Sequence, residues 1–342
     1  MPMDVTLLEF GDGRSARVAR PCQLADVGPA VAGLRLRGRR PVLVVVGGAA
    51  GLDEAGKKRL YTLFSHALLP FIASRQAIVV DGGTDAGVMQ LLGRARAEAG
   101  ACFPLVGVAP EKKVILPGDG AEPGDRAPLE QNHSHFVLVP GSSWGDESPW
   151  LSWVATKIAG SAPSVTVLIN GGEIAFQDVA HSLEAHRPVL VIAGTGRTAD
   201  RIAAAVHDHH TDKQAAQLAD SPLVAAVPWA EDPATVRAAL EELTGPEVLR
   251  SRSLQLVLYG SLIGLTPDPL VGRTGLATVQ PRHLVGADMM QGDQLPPPTG
   301  ELAARAAWLK RDPVADRVPS NRAPGCPVWR TSTPSGRCDG PR

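Results

Sequence analysis

From Pro41 onward, short unbroken apolar runs alternate with longer amphipathic stretches. The runs are VLVVV (42–46), AIVV (77–80), PLVGV (104–108), FVLV (136–139), VTVLI (165–169), PVLVI (188–192) and LVAAV (223–227). A strand with one wet face alternates apolar and polar residues, whereas an unbroken run suits a strand covered on both faces, as in a parallel sheet flanked by helices. Between the runs the period changes. Leu60, Leu63, Phe64, Ala67, Leu68, Phe71 and Ile72 fall at the spacing of a single helical stripe. Val88, Leu91, Leu92, Ala95 and Ala99 repeat that spacing after Gly87, and Ile174, Val179 and Leu183, then Ile202, Ala203 and Val206, do so more loosely. A last helix starts with Asp232 as N-cap and Pro233 at its first position, and carries Val236, Leu240 and Leu243. Strand-like runs alternating with helices predict a doubly wound α/β domain around a mostly parallel sheet of about seven strands.

The flanks read differently. Residues 1–40 predict a short strand from Val5 to Phe10 and a helix around Leu24 to Leu34, ending in the basic cluster Arg35, Arg37, Arg39 and Arg40. Together they form an N-terminal appendage packed on the sheet. After Gly245 the periodicity fades, and PDP, LPPP and a long proline-rich stretch follow. The core is therefore expected over 41–245. Residues 246–342 read as a largely disordered tail with at most a short helix from Leu302 to Leu309.

Composition narrows the function classes. With 342 residues, 44% of them apolar, the chain can bury a core and is not a disordered protein. The 34 Lys+Arg balance 35 Asp+Glu, so no general field draws the chain to nucleic acid or an acidic membrane. Any anion must be caught by placed groups. No apolar run reaches the roughly 18 residues of a membrane span, and Asp4 and Glu9 stand where a signal peptide would be basic. Cys22, Cys102, Cys326 and Cys338 form no C-x-x-C pair, which argues against a zinc site or a disulfide framework and fits a reducing, cytoplasmic setting.

In an open parallel sheet, ligands bind beyond the carboxyl ends of the strands. The residues there are strongly biased toward glycine. Gly47-Gly48 follows the first run, Asp81-Gly82-Gly83-Thr84-Asp85-Ala86-Gly87 the second, and Ala109-Pro110 the third. Pro140-Gly141-Ser142-Ser143-Trp144-Gly145 follows the fourth, Asn170-Gly171-Gly172 the fifth, and Gly194-Thr195-Gly196-Arg197 the sixth. Backbone N–H groups at a helix start approach an anion closely only where no Cβ intervenes. A single glycine pair ordinarily serves a tight turn. Repetition at one topological position points instead to a diphosphate cradle.

These segments, together with Leu129-Glu130-Gln131-Asn132-His133-Ser134-His135-Phe136, resemble the prokaryotic branch of the SLOG superfamily, relatives of the cytosolic N-terminal domain of melastatin-type transient receptor potential channels. The likeness covers roughly residues 40–210 and keeps the order and spacing of VVVGG, DGGTDAGVM, VGVAP, NHSHFVLV, VLINGG and GTGRTAD. It implies a Rossmann-like fold that binds a nucleotide-derived ligand, such as ADP-ribose, NAD or a related metabolite. It further implies a ligand sensor, with bacterial relatives proposed to act in defence alongside a separately encoded effector or as a homo-oligomer. By matching position, Gly82, Gly83, Thr84, Gly87 and Val88 resemble a loop and helix start that hold phosphate or ribose.

Arg197 resembles the family's basic residue at the last ligand loop, where guanidinium can grip a phosphate edge with two parallel hydrogen bonds. Its other reading is a surface charge at a helix start, where a cation is unfavourable unless an anion offsets the dipole. Trp144 matches an aromatic that can stack on a base or ribose; it reads equally as a core tryptophan. There are departures. Leu151 stands where channel relatives carry a further arginine, and in Asn170 to Asp178 the second-turn Gly and Thr of the phosphoribohydrolase relatives are replaced by Ile174 and Ala175. Their catalytic Glu is replaced by Asp178. Binding is therefore favoured over catalysis, with Asp178 and Glu173 as the acid–base candidates of an alternative nucleotide N-glycoside hydrolase.

Two histidine groupings remain. His133 and His135 fall on one side of an extended segment with no third ligand nearby, so a hydrogen-bonded structural role is expected rather than a metal. His207-Asp208-His209-His210 reads as a solvated helix terminus. No metal site and no cofactor are expected.

Overall fold

A computed structural model describes residues 3–36, 39–48, 51–120, 124–207, 212–229 and 232–245. The tail expected over 246–342, its helix at Leu302 to Leu309, and the stretch Asp208 to His210 lie outside the described residues.

The chain opens with β1 (Val5–Glu9), β2 (Ser15–Ala19) and α1 (Val27–Gly33). The first βα layer is β3 (Val42–Gly47), α2 (Glu54–Leu63), a π-turn at Phe64–Leu68, α3 (Leu69–Arg75), β4 (Ile78–Asp81) and α4 (Gly87–Glu98). Next come β5 (Leu105–Pro110), the two-residue strands β6 (Val114–Ile115) and β7 (Ala127–Pro128), β8 (His135–Val139) and α5 (Ser148–Ala159). The last units are β9 (Ser164–Ile169), α6 (Ile174–Glu184), β10 (Val189–Ala193), α7 (Arg197–His207), α8 (Lys213–Ala219), β11 (Val224–Pro228) and α9 (Pro233–Leu243). The main sheet has nine strands in the order β1-β2-β8-β5-β4-β3-β9-β10-β11. Only the β1–β2 pairing is antiparallel. The seven strands read from the apolar runs are all present, and β1 and β2 extend the sheet beyond β8.

The unbroken runs have a direct cause. Along β3, Val42, Val44 and Val46 enter one apolar layer with α1, α5, α6, α7 and α8, while Leu43 and Val45 enter the opposite layer with α2, α3, α4 and α9. Successive side chains of a strand point to opposite faces, so a strand covered on both sides must be apolar at every position. Phe10, Ala16 and Val18 of the N-terminal hairpin build a third cluster with Ala109, Leu129, Phe136 and Leu138. The hairpin covers the edge of β8 that would otherwise be open to pairing.

One local feature departs from simple periodicity. The long stripe from Leu60 to Ile72 predicts one continuous helix, and the helix is instead interrupted by the π-turn just before Pro70. Proline has no N–H to donate to the preceding turn, and a π-turn absorbs the misfit. Among the described residues, Cys22 is an exposed free thiol.

Chain order fixes where a ligand can enter. β3 is followed by β4 on one side and flanked by β9 on the other, so the chain leaves the carboxyl ends of β3 and β9 in opposite directions. That switch point opens a crevice at the sheet edge. Nearby, β4 and β5 approach so closely that a Cβ on Gly83 would lie 2.6 Å from Cα of Gly107, and Gly83 has a φ of +69°. Gly82 has room: its Cβ would meet only Met89, at 3.6 Å. Gly83→Ala should therefore destabilise the fold by about 1–3 kcal/mol through overpacking and strain. Gly82→Ala should change it little, and urea unfolding followed by circular dichroism separates the two.

Candidate ligand site at the sheet switch point

The site is assembled where β9 and β10 end. Asn170 turns the chain with a φ of +56°, and Gly171 continues the turn at +88°. Asn170 is buried; its N–H donates to Thr195 Oγ1 at 2.8 Å and its Nδ2 donates to the Thr195 carbonyl at 2.7 Å. Thr195 Oγ1 donates in turn to the Ile192 carbonyl. Thr198 Oγ1 donates to the Gly172 carbonyl at 2.8 Å, and the Ala199 N–H donates to the Asn170 carbonyl at 2.8 Å. Loops 170–172 and 194–198 are thereby locked together, which makes the edge rigid before any ligand arrives.

A cavity of about 370 Å³ lies against these loops, lined by Asn170, Gly194, Thr195, Gly196 and Arg197 and closed from the β3 side by Gly51 and Leu52. Arg197 is exposed on its rim, with a left-handed φ of +53° at the first residue of α7. A Cβ on Gly172 would lie 3.2 Å from its Nη2, so the guanidinium rests directly over the Gly172 backbone. Among the described residues no carboxylate pairs with it. The next arginine along the helix is fully engaged: Arg201 binds Glu173 at 2.7 Å and Asp212 at 2.5 Å, and lies over the Phe176 ring.

Gly196 and Arg197 line this cavity, Gly172 lies against the Arg197 guanidinium, and Gly171 lies beside Gly47. Gly47 has a φ of +127°, a Cβ there would lie 1.8 Å from the Ile169 carbonyl oxygen, and the Gly48 N–H donates to that same oxygen. The loop after β4 is used differently. Its Gly83 N–H donates to Asp81 Oδ1 and its Asp85 N–H to the Pro128 carbonyl, both at 2.8 Å. Thr84 and Val88 are buried, and Gly87 opens α4 with a φ of +58°. The Glu130 N–H donates to the Gly83 carbonyl, so the backbone of this loop is tied to the segment 128–130.

Next to that segment, His133 is enclosed between two carboxylates, with Nε2 at 2.8 Å from Asp81 Oδ1 and Nδ1 at 2.8 Å from Glu130 Oε2. All three are buried, and His133 stacks on Phe136. Burial alone would push the imidazole down, but the charges and hydrogen bonds of Asp81 and Glu130 outweigh it and raise the pKa to about 9. His135, by contrast, is pushed down to about 4 by burial and by the nearby Arg17 and Arg96 charges. Both histidines serve the interior of the protein, and among the described residues no group of ligands suited to a metal occurs.

Trp144 stands apart from the cavity. Its Nε1 donates to the Asp125 carbonyl at 2.9 Å, which anchors the loop after β8. The aromatic residue beside the cavity is Trp229, directly after β11, whose indole Cδ1 would lie 3.0 Å from a Cβ on Gly194. The signal was available: Pro228-Trp229 follows the seventh apolar run just as the glycine loops follow the others.

The acid–base candidates also separate. Glu173 is exposed and held in its ion pair with Arg201. Asp178 is raised to about 6 by burial, against the lowering effects of Ser148 and His181. Glu147, close by, is raised to about 7, chiefly by burial, with the Asp178 and Asp146 charges adding to it.

A doubly wound, mostly parallel sheet with helices on both faces defines a Rossmann-like α/β domain. The family profile described as "SLOG in TRPM, prokaryote" matches residues 40–238, and the chain belongs to that family. Transient receptor potential cation channel subfamily M member 2 of Mus musculus is 26% identical over 201 residues, covering 47% of this chain and 13% of the channel. The Rattus norvegicus protein of the same name gives the same identity and coverage. The chain thus matches only a small part of those relatives' length. Two solved structures of the molybdenum cofactor carrier protein from Chlamydomonas reinhardtii are 21% and 24% identical, each covering 60% of this chain and 98% of the carrier, with a TM-score of 0.38. No helix among the described residues is long and apolar enough to cross a membrane.

The buried imidazolium predicts a pH dependence. Because the folded-state pKa lies above the ordinary 6.5, its stabilisation is complete below about 6.5 and is lost as pH rises through about 9. Denaturation midpoints should fall over that interval in the wild type, and the fall should be much shallower in His133→Gln.

Proposed function

We propose that this protein binds a nucleotide-derived ligand with a diphosphate, of the ADP-ribose or NAD class, in the cavity between loops 170–172 and 194–198. It acts as a sensor whose occupancy is read by a separate effector. The observation that carries the reading is Arg197. It places a cation at the positive end of the α7 dipole and holds a non-glycine residue at a φ of +53°. Each choice is unfavourable alone. A bound diphosphate offsets the charge through paired hydrogen bonds from the guanidinium. Membership of the SLOG family supports a nucleotide-related ligand, and a volume of about 370 Å³ lies within the usual range for small-molecule pockets.

A second reading, hydrolysis of a nucleotide N-glycosidic bond, would use Asp178, which stands on α6 outside the cavity lining. Held at about 6, it is suited to exchanging a proton near neutral pH. Glu173 is a weaker candidate because Arg201 occupies it.

Calorimetric titration with ADP-ribose and NAD tests the proposal. Arg197→Ala should weaken binding about tenfold to a hundredfold, the usual worth of a charge-assisted hydrogen bond, with no base released. Release of a free base by the wild type that is lost in Asp178→Asn would establish the hydrolase instead. Absence of binding by any nucleotide would overturn both.

A further inference from the structure

We propose that the protein has a second ligand site, a cup beyond β4 bordered by Asp85 and Gln131, which takes a small organic cation: an ammonium group on a compact apolar body. The cup shares no lining residue with the switch-point cavity, and it does not depend on the nucleotide reading.

The cup has a volume of about 320 Å³, near the lower end of the range usual for small-molecule sites. Its walls come from three separate parts of the chain. Phe10 closes it from the turn between β1 and β2, Ile115 and Leu116 from β6 and the residue after it, and Pro128 and Leu129 from the end of β7. These walls are held in place before a ligand arrives. Phe10 packs on Phe136 with ring centroids 6.3 Å apart, and Leu129 is buried in the same apolar cluster. β6 pairs with β7 at Val114–Ala127 and Ile115–Pro128, and the Asp85 N–H donates to the Pro128 carbonyl at 2.8 Å. The turn after β6 is closed by the Leu116 N–H, which donates to Asp119 Oδ2 at 3.1 Å.

Asp85 differs from its neighbours in having an uncommitted carboxylate. On the surrounding segments, Asp12 pairs with Arg14, Glu111 with Arg20, Asp119 with Arg126 and Asp125 with Lys113, while Asp81 and Glu130 hold His133. Among the described residues no cation and no hydrogen-bond donor meets the Asp85 side chain, and the Gln131 amide is equally free. Both residues are exposed at the mouth of the cup. An ionised carboxylate only accepts hydrogen bonds, so the group it selects is a donor, and a cationic donor gains most. The apolar walls select the rest of the ligand, a body of aromatic or branched aliphatic carbon that leaves water on contact with Phe10 and Leu116. A phosphate would be repelled by Asp85, which sets this cup apart from the anion site at Arg197.

Ligand-observed nuclear magnetic resonance titration of the full chain tests the proposal with three probes of one shape. These are phenethylamine, 2-phenylethanol and 3-phenylpropionate, which are cation, neutral molecule and anion at neutral pH. The wild type should bind phenethylamine about threefold to tenfold more tightly than 2-phenylethanol, the worth of a partly exposed charge-assisted contact, and should bind 3-phenylpropionate least. Asp85→Asn should erase the preference for the amine while still binding the alcohol, which separates a lost charge from a lost fold. Gln131→Trp, a change at an exposed position, should fill the cup and abolish binding of amine and alcohol alike, with an unchanged circular dichroism spectrum. The proposal is overturned if the wild type binds no amine, or binds amine and alcohol equally. It is equally overturned if the amine preference survives in Asp85→Asn, or if amine binding is untouched in Gln131→Trp.

Discussion

Where β3 ends beside β9, at Gly47, the backbone leaves no room for a side chain. Gly47 at the end of β3 would place a Cβ 1.8 Å from the Ile169 carbonyl, and Gly171 just past β9 lies within reach of Gly47 Cα. The close approach lets the two chain segments diverge at the top of the sheet, one toward α2 and the other toward α6. Divergence opens the crevice, and the locked loops 170–172 and 194–198 shape it. A bulkier residue at Gly47 would force the strands apart and blur everything that depends on their spacing: the turn at Asn170, the seat of Arg197 and the cavity between them.

The carboxyl edge of the sheet is divided between two kinds of work. Around β4, β5 and β8, Asp81, Gly83, Thr84 and Gly107 face the interior, while Asp85, Ser142 and Ser143 stay exposed. Gly83 and Gly107 permit contact of backbones, and Asp81, His133 and Glu130 form a buried charged set that pins one loop to another. A buried imidazolium between two carboxylates is costly to dehydrate and costly to break, so it fixes a single loop arrangement. Beyond β9 and β10, Asn170, Thr195 and Thr198 are buried in the loop lock while Gly194 and Arg197 are exposed. Here the glycines surround a space, and Arg197 is exposed where Arg201, one turn on, is tied to Glu173 and Asp212.

Much of the architecture was legible in the chain because burial on two faces leaves an unmistakable mark: seven unbroken apolar runs became seven parallel strands. β2 escaped because SARVA alternates and is too short to stand out, and its pairing with β8 spans more than a hundred residues. The helix at Ser148–Ala159 carries a stripe of its own, with Trp150, Leu151, Val154, Ala155, Ile158 and Ala159 at i, i+4 spacing. The glycine loops could be placed at the sheet edge from topology alone. Which of their residues face inward and which outward could not, because it depends on which partner meets each N–H across the fold. Asp81, some fifty residues from His133, is the plainest case. Trp144 and Trp229 both follow strands, and only three-dimensional packing shows that Trp144 anchors its own loop while Trp229 rests on Gly194.

Hydrogen–deuterium exchange with and without ADP-ribose tests the central claim most directly, that the switch-point cavity is the ligand site. The account predicts that added protection concentrates in the backbone amides of 47–52, 170–172 and 194–198, while those of 82–88 change little. Protection confined to 82–88, or to the neighbourhood of Trp144, with none at 194–198, would contradict it.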